Sequence, residues 1–247
     1  MIPAIPYART LLSVAMLVGI LAQTPARALA WLAPAPLLME GLSGSLWSGQ
    51  AARVQWHWGN KTLLLGRLNW SVNPFSLLWL HPSGSIESVW GGQTIRADVI
   101  VSLTGRITFD SVTLRTDAAL LNNVAPLFVG GRFEADLDQL VWSGQDIESM
   151  QGRLLWRQAV WQTRTGDVAL GDYVAEIREH PQGSRAEVLT LSGPLQVAGQ
   201  VDLQSSSYQI DLQVTGPATR NAGLRKSLDL LATPLESGYR MQWQGQF

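Results

Sequence analysis

From residue 50 onward the chain alternates apolar and polar residues over most of its length. In RVQWHW, Val54, Trp56 and Trp58 share one phase while Arg53, Gln55 and His57 share the other. In IRADVIVSL, Ile95, Ala97, Val99, Val101 and Leu103 form one face. QVAGQVDLQ and SYQIDLQVTG repeat the pattern, with Val197, Val201, Leu203, Tyr208, Ile210, Leu212 and Val214 set against Gln, Asp and Ser. A period of two between Gly-, Ser- and Asn-rich breaks predicts half-buried antiparallel strands, about twelve of them. GRITFDSVTLRT starts in one phase (Ile107, Phe109) and continues in the other (Val112, Leu114), so a bulge is expected near Asp110. Helical signals are few. NPFSLLWL has an Asn cap and Pro at the first position, AALLNNVAPLF offers a turn or two, and TRNAGLRKSLDLLATP spaces Leu224, Leu228 and Leu231 helically before Pro234. The expected fold is mostly β: a large antiparallel, curved open sheet or half-barrel with two or three short helices, behind an N-terminal apolar helix.

The apolar run Leu11–Ala22 follows Arg9 and precedes Thr24, Pro25 and Arg27. A cleaved signal peptide fits its length and the Ala28-Leu29-Ala30 before Trp31, which has the small-x-small form of a cleavage site. An uncleaved signal anchor fits if the helix starts near Ile5. A buried core helix is the third reading. The expected division is an N-terminal signal-anchor or transmembrane segment, residues 1–30, and one β-rich domain, residues 31–247, on the non-cytoplasmic side. No linker evidently splits that domain; the nearest candidate, EHPQGSRAE, reads equally well as a long hairpin loop.

Composition narrows the function classes. Of the 247 residues, 46% are hydrophobic and only 15% charged, with a net charge of −1. That balance, without a basic run, argues against a nucleic-acid partner. Cysteine is absent, which excludes disulfides, thiolate nucleophiles and Cys-based zinc sites. His57, His81 and His180 stand apart with no carboxylate at ligand spacing. Glu134, Asp136 and Asp138 share a strand face, which reads as a solvated surface rather than an acid–base pair. No nucleophile elbow, Walker loop or dinucleotide fingerprint is present. No catalytic residue, metal site or cofactor is expected.

A tetrapeptide recurs: WSGQ at Trp47, WGGQ at Trp90 and WSGQ at Trp142. Ser48-Gly49, Gly91-Gly92 and Ser143-Gly144 suit tight hairpin turns, with the Trp ending one strand and Gln50, Gln93 or Gln145 opening the next. The motif (Trp47, Gly49, Gln50; Trp90, Gly92, Gln93; Trp142, Gly144, Gln145) then marks three hairpins built alike. Alternatively, the indoles form a row that makes an apolar binding surface. The uneven spacing of the three copies excludes a solenoid. At the C-terminus Tyr239, Met241 and Trp243 lie on one face of a strand that either closes the sheet or offers an edge to a partner.

These residues resemble a known family. GLSGSLWSGQAARVQW is similar to the G-x-S-G-T/S-L-W-x-G-x-A segment of the type II secretion system protein N family (general secretion pathway protein N). LNWSVNPFSLLWLHPSGSIE resembles its W-x-x-x-P-x-x-L-L segment, and GRFEADLDQLVWSGQ its mid-domain Gly, Leu and Trp run. The resemblance implies a non-enzymatic accessory component of a Gram-negative secretion machine, anchored in the inner membrane as a single-pass protein with its domain in the periplasm. The implied partners are other secretion components, the inner-membrane platform or the secretin. The β-rich domain is also similar in style to AsmA-like envelope proteins, which implies a runner-up function in binding or bridging lipid.

Overall fold

The computed structural model describes residues 23–32, 37–58, 61–123, 128–143, 146–163, 166–204 and 207–246. The apolar run expected to form a helix, Leu11–Ala22, lies outside them. Fourteen strands form one antiparallel sheet in near-sequential order, β1 through β12, then β14 and β13. They are β1 (Leu37–Gly44), β2 (Ser48–Trp58), β3 (Lys61–Asn73), β4 (Ser83–Trp90), β5 (Gln93–Val101), β6 (Arg106–Asp117), β7 (Val129–Ser143), β8 (Asp146–Thr163), β9 (Gly166–His180), β10 (Gly183–Ser192), β11 (Gln196–Gln204), β12 (Ser207–Thr215), β13 (Thr233–Leu235) and β14 (Gly238–Gln246). The antiparallel open sheet is as expected, with two strands more than the alternation predicts.

Among the described residues one long α-helix is present, α1 (Ala222–Leu231), where Leu224, Leu228 and Leu231 were expected at helical spacing; it buries Leu224 and Leu228. Asn221 caps it, its side chain accepting from the N–H groups of Gly223 and Leu224. The other two expected helices are 3₁₀ turns, Pro74–Trp79 and Ala118–Asn123. Each is one short crossover between adjacent strands, too short for α-helical propagation.

The register separates the two faces across thirteen strands. One row of cross-strand partners runs Leu42, Ala51, Leu68, Ser88, Ile95, Leu114, Ala135, Leu154, Ala175, Val188, Gly199, Leu212 and Met241. The next row runs Ser43, Gln50, Asn69, Glu87, Arg96, Thr113, Asp136, Arg153, Glu176, Glu187, Gln200, Asp211 and Gln242. The first is apolar except for Ser88, whose buried hydroxyl donates to the Leu65 carbonyl at 2.6 Å. The second is polar at every position.

Bulges keep the rows in phase. In β6, Ser111 adopts φ 52°, one residue from the expected site at Asp110. In β7 the register shifts between Leu137 and Gln139, which takes Asp138 out of the ladder and lets Leu137 and Leu140 share a face. In β8, Gln158 adopts φ 50°; its N–H donates to Asp172 Oδ1 at 2.6 Å. Asp172 also accepts from the Ser192 hydroxyl at 2.8 Å. These two bonds, the Gln158 one first, hold the Asp172 carboxyl below its ordinary range.

Three clusters line the apolar face. At the C-terminal end α1 and the turn Pro217–Arg220 cover it, burying Leu170, Tyr173, Leu195, Val214, Leu224, Leu228 and Tyr239 together. At the N-terminal end the segment Ala26–Leu29 packs with Ala51, Val54 and Trp70. Between them lie Leu137, Ile177 and Ala186, with Val112, Leu140 and Val201 against them.

Two predictions follow from this packing. A Cβ at Gly49 would meet the Trp70 ring at 2.5 Å and the Ser43 carbonyl at 2.6 Å, whereas one at Gly92 would meet nothing within 4 Å. Gly49→Ala is expected to cost about 1–3 kcal/mol in urea denaturation, through overpacking against backbone, and Gly92→Ala less than about 0.5 kcal/mol. The second concerns Asp172. Because its folded pKa is depressed, its contribution to stability is full above the ordinary carboxylate range and is lost as pH falls through the folded value. The denaturation midpoints of wild type and Asp172→Asn should therefore differ most near neutrality and converge in acid.

Candidate interaction surfaces

The recurring Trp motif falls into three different settings. At the second copy, β4 ends on Trp90, Gly91-Gly92 turn, and Gln93 opens β5 directly opposite Trp90. Gly91 supplies the positive φ, at 55°. Trp90 lies over Gly66 and is 47% exposed; Gln93 is buried. At the third copy Trp142 and Ser143 are the last residues of β7, and Ser143 pairs with Asp146. Gly144 and Gln145 lie outside the described residues. The first copy sits differently: Gly44 pairs with Gly49, so Ser45–Trp47 make the turn and Gly49 and Gln50 are already inside β2. The reason is Trp70 of β3. Its indole N–H points at the Ser45 and Leu46 carbonyls, 3.2 Å from each, and its ring occupies the space over Gly49. A turn at Ser48-Gly49 would leave that ring without a seat.

Tyr239, Met241 and Trp243 all face α1. Tyr239 is 8% exposed and its hydroxyl donates to Asp229 Oδ1 at 3.0 Å. Burial first, then that bond to a carboxylate, pushes its pKa up. Met241 packs against the same cluster. The Trp243 indole N–H donates to the Leu231 carbonyl at 2.9 Å, occupying one of the free carbonyls at the end of α1. Their strand, β14, lies between β12 and β13. Since β13 pairs only with Gly238–Arg240, the stretch Met241–Gln246 has no strand partner on that side among the described residues.

The polar face is a lattice of arginine–carboxylate pairs. Arg96 binds Glu87 (2.6 Å), Arg106 binds Glu148 (2.9 Å), and Arg240 holds Asp211 with two bonds of 3.0 and 2.7 Å. Arg185 similarly grips Asp202, and Glu176 sits between Arg153 and Arg178. Arg240 lowers the Asp211 pKa, chiefly by hydrogen bonding. Exposed pairs of this kind are screened by water and salt, so they contribute more to register and solubility than to stability.

The three histidines singled out in the sequence are dispersed, whereas the carboxylates stay near one another on the polar face. Glu134 pairs with Arg157 at 3.5 Å; Asp136 lies opposite Arg153, and Asp138, although bulged out of the ladder, lines the same groove as Asp136, Arg153, Glu176 and Arg178. His57 is exposed on β2, His81 begins the loop before β4, and His180 ends β9. Among the described residues no group of three or more His, Asp or Glu is placed to hold a metal ion. No helix of the described residues is long and apolar enough to cross a membrane.

Two features escape the alternation. One is an aromatic stack at the centre of the C-terminal cluster: Trp156 lies 5.2 Å from Phe133 and 5.7 Å from Tyr173, and donates to the Gly130 carbonyl at 3.0 Å. The Tyr173 hydroxyl donates to the Leu195 carbonyl at 2.9 Å, and burial drives its pKa upward. The other is a set of exposed apolar side chains in turns: Phe75, Leu80 and Leu103. Leu103 was expected to continue the apolar face of β5. The strand stops at Val101, and Leu103 sits on the following turn because Gly105 closes it with an N–H bond to the Ser102 carbonyl. Their signal in the sequence is an apolar residue placed between turn formers, in VNPF, WLHP and SLTG.

The family described as type II secretion system (T2SS), protein N matches residues 35–242. The chain is 26% identical over 229 residues to the type II secretion system protein N of Aeromonas hydrophila, covering 87% of this chain and 86% of that one. It is 26% identical over 251 residues to the protein of the same name from Vibrio cholerae serotype O1, covering 96% of each. No solved structure matches. The family match extends from just before β1 into β14, and so takes in the two rows that order the sheet: the chain belongs to the type II secretion system protein N family.

Proposed function

We propose that the chain is an accessory, non-catalytic component of the type II protein secretion machinery, held at the inner membrane by its N-terminal apolar run with the β-sheet in the periplasm. The observation that carries this reading is the family match over nearly the whole length of the sheet, together with its two similarly named relatives. The separation of the three histidines, and the lack of a metal-holding group of His, Asp or Glu among the described residues, support a binding rather than a chemical role. Retention of the N-terminal run is supported by packing upstream of the Ala28-Leu29-Ala30 site. Ala26 is 2% exposed among Ala51, Val54 and Trp70, and the Thr24 carbonyl accepts from Leu46 N–H at 2.9 Å. A cut after Ala30 would remove part of the core.

The sheet offers partners, inner-membrane platform or secretin, two kinds of surface. The polar lattice gives a rigid charge pattern. The open side of Met241–Gln246 gives unpaired backbone groups suited to strand addition. A second reading, lipid binding, is favoured by one feature: a groove of about 200 Å³ on the apolar face, lined by Leu29, Met39, Trp70, Val72, Ile86 and Val99.

Deleting the chain should lower the yield of type II substrates in the medium. A photo-crosslinking residue at Gln244 should capture a secretion component in intact cells, and one at Gln139 on the polar face should not share that product. Unchanged secretion with no captured component would contradict the proposal. Native mass spectrometry showing bound phospholipid in its place would favour the second reading.

A further inference from the structure

In an antiparallel meander, successive turns alternate between two ends of the sheet. The turns β1–β2 (Ser45–Trp47), β3–β4 (Pro74–Pro82) and β5–β6 (Ser102–Gly105) lie at one end, on neighbouring strand pairs. The chain arriving from its N-terminal run joins the domain at that same end. Pro25 bridges Ser45, and the Thr24 carbonyl is bonded to Leu46 N–H. Ala22 is two residues from Thr24, a reach of at most about 7 Å.

That end exposes three large apolar side chains that the fold does not require. Phe75 is 70% exposed, in a turn already fixed by polar bonds: its own N–H donates to Asn73 Oδ1, and the Ser76 hydroxyl bonds the Asn73 carbonyl and accepts from Ser83 N–H. Leu80 is 57% exposed with φ 57°, a left-handed conformation that favours Gly or Asn over leucine. Leu103 is 72% exposed at the tip of a four-residue turn closed by the Ser102–Thr104 hydroxyl contact and the Gly105 N–H bond. Polar residues would serve each position equally well for folding. Apolar side chains grouped on a rim mark a contact surface.

We propose that this rim, Phe75, Leu80 and Leu103, dips into the surface of the lipid bilayer that holds the N-terminal run, so that the sheet stands on the membrane by its β1–β6 turns. The proposal rests on the reading of that run as a membrane anchor. The occupant is argued from where the chain enters: a span ending near Ala22 brings the lipid headgroups to the β1–β2 turn. Side chains of this kind reach about 5–10 Å into the headgroup and acyl boundary. The opposite end also exposes apolar groups, Phe128 at 63%, Leu191 at 57%, Leu235 at 48% and Trp90 at 47%, but no membrane-directed segment joins it among the described residues. Held in this way, the strands run away from the bilayer and the polar lattice faces sideways, toward neighbours in the envelope.

The absence of cysteine makes the test direct. Full-length Ser13→Cys, Leu103→Cys and Leu191→Cys chains, each labelled with an environment-sensitive fluorophore, are reconstituted into phosphatidylethanolamine–phosphatidylglycerol vesicles with and without brominated acyl chains. Circular dichroism confirms that each retains the β fold. The proposal expects bromine quenching several-fold stronger at positions 13 and 103 than at 191. Quenching at 13 with position 103 as wet as 191 overturns the rim and leaves the anchor standing. No quenching at 13 overturns the anchor, and the rim with it. A label at 103 that is dry yet insensitive to bromine also overturns the proposal, because the rim is then covered by protein.

Discussion

Register is the constraint on which everything else in this molecule depends. Strand side chains alternate with a period of two, so shifting any one strand by one residue would exchange its apolar and polar rows. Here the exchange would put Arg153 and Glu176 in place of Leu154 and Ala175 within the apolar face. Thirteen strands keep the two rows apart, although five of the strand pairs contain a shift in register. The bulges are what make this possible. Each adds one residue where a strand's pattern falls out of step, with positive φ at Ser111 and Gln158, the latter held by its N–H bond to Asp172.

The strands were legible because their alternation is a local signal. The residues Ile95, Ala97, Val99 and Val101 read as one face and are one face. The bulge in β6 was visible within one residue, since a change of phase can be seen in a single strand. The turn at the first Trp motif was not legible. Its position is decided by Trp70, some twenty residues away, whose ring needs the room over Gly49. The three copies of the motif share a sequence, and their neighbours in the sheet determine what each becomes. The same holds for NPFSLLWL and AALLNN: their helical signals are real, but each spans a short link between adjacent strands and closes as a 3₁₀ turn.

The sites followed the same division. The separation of His57, His81 and His180 along the chain carries over into space, because a sequential meander keeps distant residues on distant strands. The cross-strand ion pairs of the polar face were not assigned from sequence, as they join residues nine to forty-two positions apart through the register. The chain thus provides a broad surface with two chemically distinct faces and two ends, and the family match connects that surface with type II secretion.

The central claim, two continuous rows on opposed faces, can be tested by disulfide trapping in this cysteine-free chain. Arg153→Cys with Glu176→Cys joins direct cross-strand partners on the polar face, at a Cβ separation of about 4.5–5.5 Å. Arg153→Cys with Ala175→Cys places the two thiols on opposite faces. The account predicts rapid oxidation of the first pair and none of the second; preferential oxidation of the second would mean that the strands are paired one residue out of step and that the two rows do not exist as described.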